Sequence, residues 1–391
     1  MTTAIGQSID NKLMLDEPPA PKRTRRQEFW SLLRKNRLAI WGLATFVIFF
    51  FVALGGLLLT AGTDPIMDPA MVRLQEKLRP PMARPNIATL KAAEVPAPGI
   101  YLFGTDDLGR DVFARMLQGA WVSLTVGFVA IGISVLIGII MGGLAGYFGE
   151  RPIRIELLTA TGLLIIGGGL LITHIYLWGS VTCLAALLWL VYYIVIKRRS
   201  NPRRGPGGAG LFQRNILTVD TLIMRFVDIM LCFPSFILIL TVIAILPASI
   251  YNIMIVIGLT NWMVSARLVR AEFLSLREQD FVAAARALGV GNFRIIFRHM
   301  MPNAMGPVLV SATIGIAYAI LAEAALSFLG FGVPPPHATW GNILSDGRRF
   351  IFDAPWLTFI PGIAILIVVL SFNLFGEGLR DVMNPRLRGR R

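Results

Sequence analysis

Three carboxylates within six residues, Asp106, Asp107 and Asp111, form the densest group of potential ligands in the chain. Hard cations are bound by carboxylate oxygens, so the cluster could hold a metal in a membrane enzyme. Arg110 stands inside it and no histidine is near, which favours a second reading, that it caps a helix. His174, His299 and His337 are too dispersed for a zinc motif. Cys183 and Cys232 lie in apolar runs, where free cysteine is ordinarily a reduced packing residue; they imply neither a disulfide framework nor a cysteine-rich metal site. A phosphate-cradling loop needs Gly-Lys followed by Ser or Thr, and none of the six lysines follows a glycine. No cofactor, bound metal or nucleotide motor is therefore expected in this chain.

A different kind of chemistry, mechanical coupling, is suggested by FVAAARALGVGNFRIIFRHMMPN, residues 281–303. Phe281, Ala285 and Leu288 fall at i, i+4 and i+7, an apolar stripe on a short helix, with Arg286 off the stripe. Gly289 and Gly291 break that helix, Asn292 can cap a second one containing Ile295 and Ile296, and Pro302 starts the next element. Such a helix either docks into a groove on a soluble partner or lies among lipid headgroups.

What positions these residues is a membrane. Of 391 residues, 55% are hydrophobic and 15% charged, which excludes a disordered chain and argues against a soluble globular one. Spanning hydrocarbon takes about 20 mostly apolar residues. Mostly apolar runs of that order occur at residues 38–60, 122–147, 222–246, 250–269, 304–328 and 356–375, and those at 38–60, 122–147 and 356–375 carry no formal charge. Residues 157–196 are 40 without a formal charge; as one helix they would reach about 60 Å, twice the hydrocarbon thickness, so they must fold back near Trp178, Gly179 and Ser180. The expected organisation is a tail (1–37), a first span (38–60), an outer loop (61–121), a second span (122–149) and an inserted hairpin with a Gly/Pro-rich linker (150–218). A core (219–376) containing the loop 281–303 and a basic tail (377–391) complete it.

Eight spans place both termini in the cytoplasm. The net charge of +14 sits mainly on the inner segments, whereas in residues 62–118 seven basic residues are matched by seven acidic ones. These charges orient the protein rather than bind nucleic acid. No cleaved signal is expected, since residues 1–37 are polar and carry eight basic residues. Trp340 and Trp356 are expected as interfacial anchors. Glu323, near the outer end of the seventh span, either serves a transport pathway or makes a structural hydrogen bond. Asn261, Ser265, Ser311 and Tyr318 either face a polar cavity or pack helices.

The run AAARALG, followed after nine residues by His299, Met300, Met301 and Pro302, resembles the EAA loop of ABC importer permeases. GTDDLGRDVFARMLQGAWVSL (104–124), GGLAGYFG (142–149), VDTLIMRFVDIMLCFPSFIL (219–238), AEAALSFLGFGVPPPHATWGNIL (322–344) and NLFGEGLRDVMNPRLR (373–388) are similar to the peptide and nickel permease subfamily, in the order of its C-type subunit. Ala283 stands where the motif has glutamate and Met301 where it has leucine. The insertion 150–218 is also unusual for the family, and only an even number of extra spans keeps the loop 281–303 on its side.

The resemblance implies an all-α polytopic protein, a six-span core plus the hairpin, in the inner or plasma membrane of a prokaryote. It implies a subunit that forms half a translocation pathway, with a B-type permease, two ATPase subunits or domains that bind the ATP, and an extracytoplasmic substrate-binding protein as partners. Phe281, Ala284, Ala285, Arg286, Leu288 and Gly289 would then couple the chain to the ATPase. The competing readings are an ion-coupled secondary transporter, for which no internal repeat is evident, and the metal-dependent enzyme built on the three aspartates.

Overall fold

The computed structural model describes residues 25–62, 65–88, 90–91, 94–149, 152–153 and 217–383, and their regular structure is almost wholly helical. A short helix α1 (Arg25–Lys35) leads into the first long apolar helix, α2 (Arg37–Thr60), whose N-cap Asn36 accepts from the Ala39 amide at 3.2 Å. Helix α3 (Val112–Phe148) is 37 residues long, about 55 Å, so it extends well past the hydrocarbon layer. It starts ten residues before the expected second span. Arg115 and Gln118 make that first part look too polar to join a span, yet Arg115 is buried and paired with Asp106 and Asp346.

Strands β1 (Pro152–Ile153) and β2 (Leu217–Thr218) pair antiparallel, so both ends of the insertion are pinned side by side. The expected hairpin and linker lie outside the described residues. After β2, the expected single span 222–246 is two helices, α4 (Val219–Leu231) and α5 (Ser235–Ile245), bent by 82°. Pro234, with no N–H to donate, stands at the break. The remaining elements are α6 (Ile250–Arg277), α7 (Asp280–Ala287), α8 (Met301–Phe328), α9 (Trp340–Gly347) and α10 (Trp356–Met383). A turn at Asn292–Arg294 and a π-helical turn at Ile295–Met300 run directly into α8. Among the described residues five helices are long and apolar enough to cross a membrane, and six spans result if α4 and α5 count as one. The expected count of eight rests on the insertion.

Helix α3 is the centre of the packing. Gly138, Gly142 and Gly146, one turn apart, form a seam against which α6 lies: a Cβ on them would meet Ser265, Ala266 and Phe273 at 2.3–2.5 Å. Small residues at this spacing let two backbones approach closely, which matters in lipid because apolar burial gives no preference between a helix neighbour and an acyl chain. Helix α10 closes on α2 in the same way, with Ser371 donating to the Gly42 carbonyl at 2.6 Å. The loop between α2 and α3 is more ordered than its prolines suggest. Glu76 is fully buried and accepts from Arg79 at 2.9 Å and from the Asn86 amide at 3.0 Å, while Thr105 donates to the Glu76 carbonyl.

Candidate coupling surface and translocation groove

Helix α7 lies between α6 and α8, so any force on it acts on both. Its end is built as the sequence suggests: Gly289 has φ +72, a left-handed conformation that favours glycine. The Val290 amide reaches back to the Ala285 carbonyl at 3.1 Å and that of Gly289 to Arg286 at 3.0 Å, the Schellman arrangement of a helix C-terminus. The face assignment differs from the expected stripe. Val282 and Ala285 are buried among Ile295, Ile296 and Met300, whereas Phe281 is 39% exposed and Leu288 83%. Ala284 and Arg286 are exposed as well. The stripe Phe281–Ala285–Leu288 is therefore divided: Ala285 faces inward, and Phe281 and Leu288 are presented outward.

Asn292 does not cap the second helix with its side chain. Gly291 holds the N-cap position, and the Asn292 Oδ1 instead accepts from the Tyr147 hydroxyl at 2.7 Å. The Tyr147 ring also carries the Arg286 guanidinium, 5.3 Å from its centroid. Tyr147 thus ties the end of α3 to both halves of the loop; sequence reasoning missed it, although it sits in the glycine-rich segment 142–149. The π-turn that follows accommodates Pro302: the Met301 amide bonds the Ile296 carbonyl five residues back.

Of the five residues expected along a pathway, four come together. Asn261 and Ser265 on α6 and Ser311 and Tyr318 on α8 line one half-open groove of about 1070 Å³, joined by Ser134 of α3 and Ser235 of α5. Ser235 and Tyr318 bond across it at 3.1 Å, and Asn261 donates to the Ile257 carbonyl at 2.7 Å. Arg267, Glu272 and Arg380 lie at its α7 end. Along α6 the lining runs from Asn261 at mid-helix to Glu272 toward α7, so neutral polar groups stand toward mid-helix and charged ones toward the α7 end.

Glu323 is elsewhere. It is fully buried and accepts from Ser327 at 2.7 Å and Ser123 at 3.1 Å, bracing α8 against α3. Trp340 is also no interfacial anchor: it is 1% exposed, donates to the Met116 carbonyl at 3.1 Å and meets the Phe49 ring edge-on. The half-buried Trp356 donates to the Thr105 carbonyl at 3.3 Å, fastening the loop between α2 and α3 to α10.

The three aspartates have separate duties. Asp111 is the N-cap of α3, accepting from the Phe113 amide at 2.9 Å, and burial pushes its carboxyl above the usual range. Asp106 is fully buried; its oxygens accept from the Leu108 and Arg110 amides, from Arg110 Nε at 2.7 Å and from Arg115 at 2.6 Å. Asp107 is raised by burial and by the neighbouring charges of Asp106 and Asp346. Among the described residues no cluster of three or more His, Cys, Asp or Glu is arranged to hold a metal ion.

Residues 209–389 match the family described as the binding-protein-dependent transport system inner membrane component, and residues 24–81 match the N-terminal TM domain of oligopeptide transport permease C. The chain is 34% identical over 383 residues to the dipeptide transport system permease protein DppC of Alkalihalophilus pseudofirmus, covering 96% of this chain and 97% of that one. The chain belongs to this permease family. Other similar members are the di/tripeptide permease DppC of Pseudomonas aeruginosa, 32% identical over 93% of this chain and 92% of its own, and the oligopeptide permease OppC of Bacillus subtilis, 30% identical over 91% and 88%. It is a multi-pass permease subunit of the C type in an ATP-driven, binding-protein-dependent importer, and a transport protein rather than an enzyme. The secondary-transporter and metalloenzyme readings are not favoured.

Proposed function

We propose that this permease forms half of the pathway of a peptide importer, that the groove is its wall, and that α7 receives the ATPase stroke. One observation carries the reading. The polar groove is walled by α6 and α8, the two helices that α7 joins, and α7 presents Phe281 and Leu288 outward. Nucleotide-driven closure of two ATPase subunits or domains would move α7, tilt α6 against α8, and open or close the groove between two packings. Ala284 and Arg286 would lie at the contact, Ala285 and Gly289 would hold α7 in shape, and Glu323 would be a brace rather than a pathway group.

The α7 face is assigned to the cytoplasm, which the excess of basic residues on that side supports. The paired β1 and β2 support an even number of crossings within the insertion, hence eight spans in all and cytoplasmic termini in a prokaryotic inner or plasma membrane. A B-type permease would supply the other wall and an extracytoplasmic binding protein the substrate. The names of the relatives, together with neutral hydroxyl and amide groups able to pair with a peptide backbone without selecting a side-chain charge, support peptides as the cargo. ATP would be bound by the partners and not by this chain.

The test is uptake of a radiolabelled dipeptide by cells carrying the importer. Asn261→Trp, filling the groove, should abolish uptake while the ATPase subunits still copurify; Leu288→Asp should remove copurification. Normal uptake with Asn261→Trp would refute the groove as the pathway.

A further inference from the structure

Helix α4 is held at both ends by a single turn of α6. Asp220, in the first turn of α4, makes a two-pronged ion pair with Arg270, and Asp228, in the last turn, meets Arg267 at 2.5 Å. The two carboxylates are eight residues apart, about 12 Å along α4, whereas the arginines are three apart, about 4.5 Å along α6. Long guanidinium arms reach from one short stretch of α6 to span the difference. Beside the two pairs, α4 makes an apolar contact with the preceding turns of α6, with Phe226 stacked on Trp262 at 5.9 Å and Val227 buried in one cluster with Trp262, Met263 and Ala266. Bidentate Arg–carboxylate pairing fixes orientation as well as distance. The Asp220–Arg270 pair is the less exposed of the two, at 23% and 30% against 48% and 51%.

The position of this clamp gives it a consequence. Arg270 is on the segment of α6 that ends at Arg277 and passes to α7 within three residues. At its other end α4 bends into α5, whose first residue, Ser235, reaches Tyr318 across the groove. We infer that the Asp220–Arg270 and Asp228–Arg267 pairs are positioning residues for transport: they make α4 a strut that moves with the α7 end of α6 and carries that movement into the groove wall formed by α5. Helix α5 itself packs on the first turns of α6, where Ile239 and Ile243 share a core with Ile253 and Ile257, and the clamp adds a second link from the α7 end of α6. This rests on α7 being the ATPase-docking helix.

The test reconstitutes the whole importer in liposomes with its purified binding protein and measures how far that protein stimulates ATP hydrolysis. The binding protein and the ATPases communicate only through the permease pair, so this factor reads how well the signal crosses it, and it requires no knowledge of the cargo. Asp220→Asn and Arg270→Gln should each cut the stimulation by about fivefold or more, a loss of the size expected when one coupling element is removed. The ATPase subunits should remain bound. The exchanged pair Asp220→Arg with Arg270→Asp should restore most of the stimulation. Unchanged stimulation in both single variants, or a fully assembled exchange variant that stays as uncoupled as the singles, would overturn the inference. If the singles fail to assemble and the exchange restores assembly with normal stimulation, the pair is only a folding contact, which also overturns it. Leu288→Asp separates the two levels: retention of the ATPase by that variant would remove the docking reading, whatever Asp220 does.

Discussion

The glycine seam between α3 and α6 yields a prediction whose size follows from the geometry. A methyl group on Gly142 would lie 2.3 Å from the Ala266 carbonyl oxygen and 2.8 Å from Val269 Cβ. Ordinary contact begins near 3.4 Å, so Gly142→Ala forces the helices about 1 Å apart. The obstructing oxygen belongs to a helix backbone and cannot rotate aside. Overpacking of this kind costs about 1–3 kcal/mol, which exceeds the ~1 kcal/mol that alanine gains over glycine in helix propensity. Gly132 supplies the internal control: it lies in the same helix with nothing within 4 Å of its notional Cβ, so Gly132→Ala should be neutral or slightly stabilising. Reversible unfolding of the purified subunit in detergent, or steric trapping in bicelles, measures the difference. Destabilisation of Gly142→Ala no greater than that of Gly132→Ala would refute the close-approach argument.

Two further predictions concern the loop between α2 and α3. Asp106→Asn removes the buried counter-ion of Arg115, whose side chain is 4% exposed, and should cost about 3 kcal/mol in the same unfolding assay. An Asp106→Asn variant as stable as the wild type would contradict the assignment of that pair. Tyr101 is fully buried, its hydroxyl has no hydrogen-bond partner, and burial pushes it from 10.0 to about 12. The unfolded chain loses this proton first, so stability should be unaffected below pH ~10 and fall by up to ~3 kcal/mol between pH ~10 and ~12. Tyr101→Phe should remove that component and be no less stable at neutral pH, because it deletes an unpaired buried hydroxyl. Parallel stability profiles of the two proteins from pH 8 to 12 would count against it.

Punctuation was legible in the sequence where a single residue type solves a backbone problem. Gly289 ends α7 because a left-handed residue is needed there, and Asp111 caps α3 because a short carboxylate can accept an exposed helix amide. The side of a helix that faces inward was harder. Periodicity around α7 offers two apolar stripes, and only the neighbouring π-turn decides that Val282 and Ala285 are the buried ones. Window hydropathy hid the bend at Pro234, because α4 and α5 average to one span, and it delayed the start of α3, because a buried arginine scores like an exposed one. Asn261, Ser265, Ser311 and Tyr318 stand in the sequence as isolated polar residues; that they share a groove depends on how α6 and α8 are set against each other, which periodicity within one helix does not give. Trp340 was misplaced because an amphipathic side chain near a span end reads as interfacial unless its partners across the bundle are known; for Glu323 the sequence left a pathway role and a structural hydrogen bond both open, and the structure displays the hydrogen bonds.

The central claim is that α7 lies on the cytoplasmic side and touches the ATPase. Leu288→Cys, introduced after Cys183→Ser and Cys232→Ser, places one thiol at the outward tip of α7. The account predicts that a short bifunctional reagent crosslinks it to the ATPase subunit in inside-out vesicles, and that a membrane-impermeant maleimide leaves it unlabelled in intact cells. Labelling of that thiol from outside intact cells, or no crosslink in an assembled and active importer, would contradict it.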